Sequence, residues 1–585
     1  MLNEANIINK YWSCRTFVIS LLFSTALTAS DVIGYYFFKC DILDKAAFYS
    51  YETVLQFSVT LIICVVLSYV AFYYACDSSF ESKKTETKSL KSSLIYYSLF
   101  IFLCWIPYIV LRYPGIVHLD AIEQIIEIFY PKLTWYPDQI PEYDPDSGVI
   151  LLNHHPILTT LVFAIFYKLG LVLGNVCIGL FAYTIIQAAC LAFTFGLCLV
   201  YLQYCGINNI LITVFCLFLA LFPLNGLNAT IIVKDNLFFI CLILIQIGLV
   251  ELLRNETAFL IDKRKCVAFG ILMVFLSLTR HNGLYICIAL MVIFFIVYHK
   301  KGRLLQITSS AAVVIVLIMN SLLFPAFGVI SGSSLEAFSI PLQQMGRYIH
   351  EHVNDISSED RIVIEECVKP DWDLERIAVS YQPYLSDGVK NGFKTNISSK
   401  EKQDLARIWA KWFVDDKKCF VVAAVNMIYP AFKTFSGEQG VEPDKSIITT
   451  KVVDEKNKAE FNARLHHAEK DVGVDRENMR FFQLSLVIDD IIIEKLMTTW
   501  GIRALFQMDF YVWLMFAVLS VLIIKRQYKS IIILSAVGIN FLITLLGPIM
   551  YMRYFYPIAC CLPLMISHAL LLEEKSRETD DKQEE

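Results

Sequence analysis

"SLIYYSLFIFLCWIPYIVLR" (residues 93–112), continued by "YPGIVHLDAIEQ" (113–124), decides how this chain is read. The first stretch is twenty residues long and carries its one formal charge at the last position. That is enough apolar helix to cross a hydrocarbon layer of about 30 Å. The second stretch brings His118, Asp120, Glu123 and Gln124 directly after the apolar run. A chain that leaves a bilayer and at once lines up carboxylates predicts a polar site at the membrane surface.

Apolar runs recur on both sides of this stretch. They cover about 16–38, 53–76, 94–112, 157–173, 175–204, 208–223, 236–253, 266–279, 283–298, 304–327, 508–524, 530–547 and 554–572. The 585 residues are 56% hydrophobic and only 18% charged, with a mean hydropathy of +0.56. A soluble chain of this length would carry more charge. The expected fold class is therefore an all-α polytopic membrane protein of about 12–13 transmembrane helices. Its first partner is the lipid bilayer. The net charge of −5 is small, and no basic patch interleaved with aromatics points to nucleic acid. In the first run, "TALTAS" offers the small residues of a cleavage site, but the apolar stretch runs on into "DVIGYYFFK". An uncleaved signal anchor is the expectation. The 17 cysteines lie mostly in apolar runs without CxxC or Cys/His ligand spacing, so they read as small buried side chains. Cys367 and Cys419 share one polar segment and could pair if it lies outside.

Basic clusters mark cytoplasmic ends. "KKTETKSLK" (83–91), "DKRK" (262–265), "KKGR" (300–303) and "KRQYK" (525–529) place residues 113–156 and the polar block 328–507 outside. The expected organisation is an N-terminal helical pair with a basic loop (1–93) and a transmembrane core (94–327) containing the first external loop. A mostly helical extracytoplasmic insert (328–507), C-terminal membrane helices (508–572) and a disordered cytoplasmic tail (573–585) follow. One conflict stays open. Four apolar runs lie between 156 and 254, where an odd number of crossings is needed to leave 262–265 inside. Either one run is re-entrant or merged, or 254–265 is external and 266–298 crosses once with a break at "RHNG".

On a helix, "HLDAIEQIIEIFY" puts Asp120, Glu123 or Gln124, and Glu127 on one face and Ile122, Ile125, Ile126 and Phe129 on the other. That pattern predicts an amphipathic helix lying at the outer leaflet. Asp120 and Glu123 also read as a D-x-x-E capping pair. The loop that follows is stiffened by five prolines and made acidic by Asp138, Glu142, Asp144 and Asp146. Its "DPDSG" lacks a full cation ligand set. His154 and His155 stand at the mouth of the next span, ahead of Pro156, as interfacial residues or as ligands and proton carriers.

Three further places break apolar context: Lys234 and Asp235 in "VKDNLFF", Arg280 in "SLTRHNGLY", and Arg553 in "YMRYFYP". Ionisable groups at membrane depth are costly, and each reads either as a structural ion pair or as the lining of a site. Together with the carboxylate helix they outline a cavity with acids on one side and cations on the other. Such cations suit a lipid phosphate.

In their order, "YPGIVHLDAIEQ", "NHHPILTT", "KDNLF", "RHNG", "IPLQQMGR" (340–347) and "RYFYP" resemble an uncharacterised family of bacterial multi-pass proteins related to the GT-C superfamily. The resemblance covers about 100–570. It implies a GT-C-like fold in the cell membrane, with an extracytoplasmic active site. There a sugar would pass from a polyprenyl-phosphate-linked donor to a glycan or lipid acceptor of the cell envelope. It makes Asp120 the catalytic base with Glu123 second, and Arg280, Arg347 and Arg553 phosphate clamps. His154, His155, Lys234 and Asp235 complete the substrate-binding set. Asp235 and Glu123 compete for the place of a second acid, so a divalent metal is left open. The alternatives are a polysaccharide polymerase or ligase, and a lipid or oligosaccharide transporter or flippase. The asymmetric external segment disfavours a transporter, which more often has paired halves, and a non-enzymatic scaffold has little use for buried cations.

Overall fold

A computed structural model of the protein describes residues 14–32, 50–77, 87–133, 151–332, 335, 338–394, 397–432, 467–475, 479–497, 499 and 501–572. The acidic loop from 134 to 150 and the tail 573–585 lie outside these residues. Among the described residues the regular structure is helical except for one two-residue strand pair.

Helix α1 covers 14–32, α2 Tyr51–Asp77 and α3 Thr87–Leu111. Strand β1 (Ile116–Val117) leads into α4 (Leu119–Phe129), and α5 (Ile157–Val172) and α6 (Val176–Cys205) form a hairpin. Helices α7 (Asn209–Leu221) and α8 (Pro223–Thr230) reach β2 (Ile231–Ile232). Then come α9 (Lys234–Arg254), α10 (Lys263–Thr279), α11 (Asn282–Val297) and α12 (Arg303–Ile318). The insert holds α13 (Ser339–His352), α14 (Ser358–Cys367), α15 (Leu374–Ser380), α16 (Ser399–Asp415), α17 (Lys417–Ile428) and α18 (Phe482–Ile491). Last are α19 (Met508–Ile524), α20 (Ser535–Leu545) and α21 (Met552–Leu571).

Among the described residues, seven helical segments are long and apolar enough to cross a membrane, or eight if α7 and α8, bent by 49°, form one broken span. This is a multi-pass membrane protein. Three other apolar runs fold as the shorter helices α5, α11 and α19, of 16, 16 and 17 residues. Helix α5 does not run the length of its partner. Phe163 and Phe166 both pack on Tyr183, and Gly170 meets Val176. Thr159 and Thr160 hydrogen-bond Gln124 of α4, so α5 starts near the level where α3 ends. At Gly179 an added Cβ would lie 2.0 Å from the Phe166 carbonyl, which is why the hairpin can be this close.

With α5 confined to one end, α6 and α9 are candidate spans between 156 and 254, and the bent α7–α8 pair is a third only if it forms one broken span rather than a re-entrant loop. The basic loops gather at the opposite end. Arg254 donates to the Cys205 carbonyl at 3.0 Å, Lys529 pairs with Glu256 and lies over the Tyr298 ring, and Lys525 donates to the Ala569 carbonyl.

The insert helices have a core of their own, with Tyr348 stacked on Trp412 and Phe420 beside them. Helix α16 opens with a reciprocal capping box between Ser398 and Glu401. Cys367 and Cys419 are both buried in this core as free thiols, so they do not pair. Single bridges, Leu152 to Ile330 and Leu385 to Ile549, attach the insert beside the end of the bundle where α4 lies.

Candidate functional site

The strand pair sets the site. Ile116 and Val117 pair in parallel with Ile231 and Ile232, and the His118 N–H donates to the Ile232 carbonyl. Asp120 and Lys234 follow this short register on their two strands and so emerge side by side. Gly115 makes the approach possible. Its φ of +113° is a left-handed conformation that favours glycine, and a Cβ there would sit 2.3 Å from Thr184 Oγ1. The break between α8 and α9 leaves carbonyls to satisfy, and buried amides do so. Gln187 donates to Ala229 and Ile231, and Asn236 donates to Asn228 and Ile231.

Helix α4 departs from its expected setting. Its apolar face is covered by Phe163, Tyr167, Tyr183, Val472 and Val474 rather than by lipid, and Glu123, Gln124 and Glu127 on the other face are buried as well. The N-cap is His118, not Asp120, so Asp120 stands in the first turn with its carboxylate available to the cluster.

Lys234 Nζ lies 3.0 Å from Asp120 Oδ2 and 2.8 Å from His155 Nδ1. His155 Nε2 lies 3.4 Å from Glu123 Oε2. Arg553 NH1 is 2.8 Å from His118 Nε2, 3.8 Å from Asp120 Oδ2 and 4.0 Å from Asp235 Oδ2. Arg280 NH1 holds Asp235 Oδ1 at 2.7 Å. The Arg280 and Arg553 guanidinium groups lie 4.4 and 4.9 Å from the centre of the Tyr554 ring. The cluster therefore alternates: Lys234, Asp120, Arg553, Asp235, Arg280.

These partners fix proton positions. An arginine only donates, so His118 Nε2 accepts from Arg553 and Nδ1 carries the proton, 3.3 Å from Asp120 Oδ1. The Asp120 N–H, 3.2 Å from that Nδ1, is then a contact rather than a hydrogen bond. By the same reasoning the Lys234 ammonium makes His155 Nδ1 an acceptor, so its Nε2–H points at Glu123. Burial and the Lys234 charge hold the His155 imidazole well below its usual range, hence neutral. Burial alone would raise Asp120, but Lys234, His118 and Arg553 outweigh it and hold the carboxyl well below the usual range. Glu127 is the opposite case. Burial and the charge of Glu123 push it up to about 8, and the Leu152 backbone N–H offsets only part of this.

The N-termini of α4, α5, α9, α11 and α21 all open here, each directing N–H groups and a partial positive charge towards the cluster. Helix α10 also ends here, with Arg280 as its C-cap. Helix N-termini and cations of this kind are able to hold an anion beside a carboxylate.

Of the residues singled out in the sequence, Asp120, Glu123, His155, Lys234, Asp235, Arg280 and Arg553 are brought together. His154 packs on the His155 ring, with Gly332 of the insert against its backbone. Arg347 is buried in the insert on Glu351 and Tyr381, and its described contacts lie there. Sequence reasoning left out Tyr554, which carries two guanidinium groups, and the only signal for it was its place next to Arg553. His281, which the sequence sets beside Arg280 in "RHNG", is buried as well, and burial lowers its pKa to about 4.

Asp120 and Asp235 each face fixed cations, which would repel a divalent ion, so the cluster does not fit a metal. The described group with metal-ligand spacing is Glu351, His352 and Asp416 in the insert. There Glu351 already serves Arg347, and Asp416 serves His352 and caps α17.

The chain matches a family described as "Family of unknown function (DUF6020)" over residues 6–585, and it belongs to that family. No curated protein and no solved structure matches it.

Proposed function

We propose that this chain is a GT-C-type membrane glycosyltransferase. It transfers a sugar from a lipid-phosphate-linked donor to a cell-envelope acceptor, with the 113–156 loop and the insert on the extracytoplasmic side. The observation that carries the reading is the set of three cations, Lys234, Arg280 and Arg553, gathered with five helix N-termini around Asp120 at one end of the bundle. Support also comes from the order of short motifs along the sequence.

The chemistry follows from these groups. Asp120 takes the proton of the acceptor hydroxyl as that oxygen attacks the anomeric carbon. The bond from the anomeric carbon to the phosphate oxygen breaks, and the lipid phosphate leaves with the electron pair. Lys234 and Arg553 stabilise its charge, in a setting partly screened from water. A carboxylate held by Lys234, His118 and Arg553 is a weak base. A donor phosphate that engages Lys234 and Arg553 weakens their hold on Asp120 and raises its basicity, so donor binding precedes proton transfer.

The test is the purified full-length protein in nanodiscs with a panel of polyprenyl-phosphate sugars, reading release of the polyprenyl phosphate. Release that depends on an acceptor and fails in Asp120→Asn supports the reading. Movement of intact donor between leaflets without release supports a transporter. Joining of preassembled lipid-linked chains supports a polymerase or ligase.

A further inference from the structure

We infer that Glu123 and His155 are positioning residues for Lys234, and that through it they set the affinity for the anionic group of the substrate. The inference rests on the reading above that Lys234 meets a phosphate.

An ammonium has three N–H bonds in a tetrahedral array. At Lys234 one points to His155 Nδ1 at 2.8 Å and one to Asp120 Oδ2 at 3.0 Å, which leaves the third for a ligand. The direction of that third bond depends on both partners. Asp120 is committed to chemistry and shared with Arg553, so His155 is the steadier of the two. His155 accepts at Nδ1 only in the tautomer with its proton on Nε2. Glu123, 3.4 Å from that Nε2, favours this tautomer because a carboxylate accepts and cannot donate. The His155 ring is nearly enclosed, with the His154 ring 4.7 Å away and Pro156 starting α5 behind it. Without Glu123 the other tautomer would turn an N–H towards an ammonium, and Lys234 would swing away. Glu123 thus acts at one remove, as the carboxylate behind a histidine. It is not the second base.

The experiment uses the full-length protein in detergent, titrated with farnesyl phosphate, together with 15N NMR of the histidine rings. Lys234→Met should lose binding. Glu123→Gln and His155→Phe should weaken it roughly ten- to a hundredfold, the scale of one charge-assisted hydrogen bond. His155→Gln, which keeps a neutral acceptor for Lys234, should restore binding to within about threefold, well short of the loss of one such bond. In Glu123→Gln the His155 signals should change from the Nε2–H tautomer to a mixture, a change that packing alone would not produce. Wild-type affinity and tautomer in Glu123→Gln, with binding lost in Lys234→Met, would overturn the positioning role and leave the phosphate reading standing. Wild-type affinity in Lys234→Met overturns both.

Discussion

Asp120 Oδ2 and Lys234 Nζ are 3.0 Å apart because two residues of parallel strand tie their chains together, and neither side chain is part of that pairing. Asp120 lies in the first turn of α4, past the N-cap position held by His118, so it carries no capping duty. Asp120→Asn should therefore fold, losing only about 1–3 kcal/mol with the charge-assisted bond. Sugar transfer should drop about a hundredfold or more, as expected on losing a general base. A well-folded Asp120→Asn variant that transfers sugar at the wild-type rate would remove Asp120 from the mechanism.

Arg280 has a carboxylate partner within the protein, Asp235, whose side chain is only 2% exposed. Arg280→Met leaves that acid buried with Arg553 at 4.0 Å, and the variant should lose about 3–5 kcal/mol of stability. The double variant Arg280→Met with Asp235→Leu should regain most of it. Thermal melting in detergent distinguishes this from a pure phosphate clamp, for which the single variant would melt as wild type.

Glu127 should make the fold weaker as pH rises. Its folded pKa, about 8, is above the ordinary glutamate value of 4.5, so between these values the folded state keeps a proton that the unfolded chain has released. Stability falls through that window and levels off above it, by an amount on the order of a few kcal/mol. Glu127→Gln should flatten this slope, making the variant more stable than wild type at pH 8 and similar to it near pH 4. Parallel melting curves at both pH values would show that Glu127 is solvated.

Arg112 and Asp489 form a buried ion pair that fastens α18 to the end of α3. Replacing either partner alone, as Arg112→Met or Asp489→Leu, should cost about 3–5 kcal/mol, and replacing both should cost far less. Additive losses in the double-mutant cycle would show that the two residues act independently.

Arg407, on the insert, and Lys301, between α11 and α12, are both exposed and belong to opposite ends of the bundle. In a cysteine-depleted background, Arg407→Cys should react with an impermeant maleimide in intact cells and Lys301→Cys only after permeabilisation. The reverse pattern inverts the proposed sidedness.

Length, hydropathy and charge were enough to read a helical membrane protein, because the cost of burying a peptide group in hydrocarbon is met residue by residue along each helix. They also flagged Asp120, Lys234, Asp235, Arg280 and Arg553, since each is an ionisable group where local context is apolar. What the sequence left undecided depends on partners distant along the chain. The pattern of α4 predicts one face in lipid, yet Val472 and Val474 return from the far side of the insert to cover it. The "IPLQQMGR" motif read as part of the site, and its Arg347 pairs in the structure with Glu351, one helical turn on, and with Tyr381. Cys367 and Cys419 share a segment and still stay apart as free thiols. Where α5 begins relative to α3 and α6 shows only in its bonds to Gln124 and its packing on Tyr183. Local propensity and hydropathy act over a few residues. Which acid meets which cation is settled when β1 and β2 pair across the intervening helices α4 to α8, and no spacing along the chain encodes that meeting.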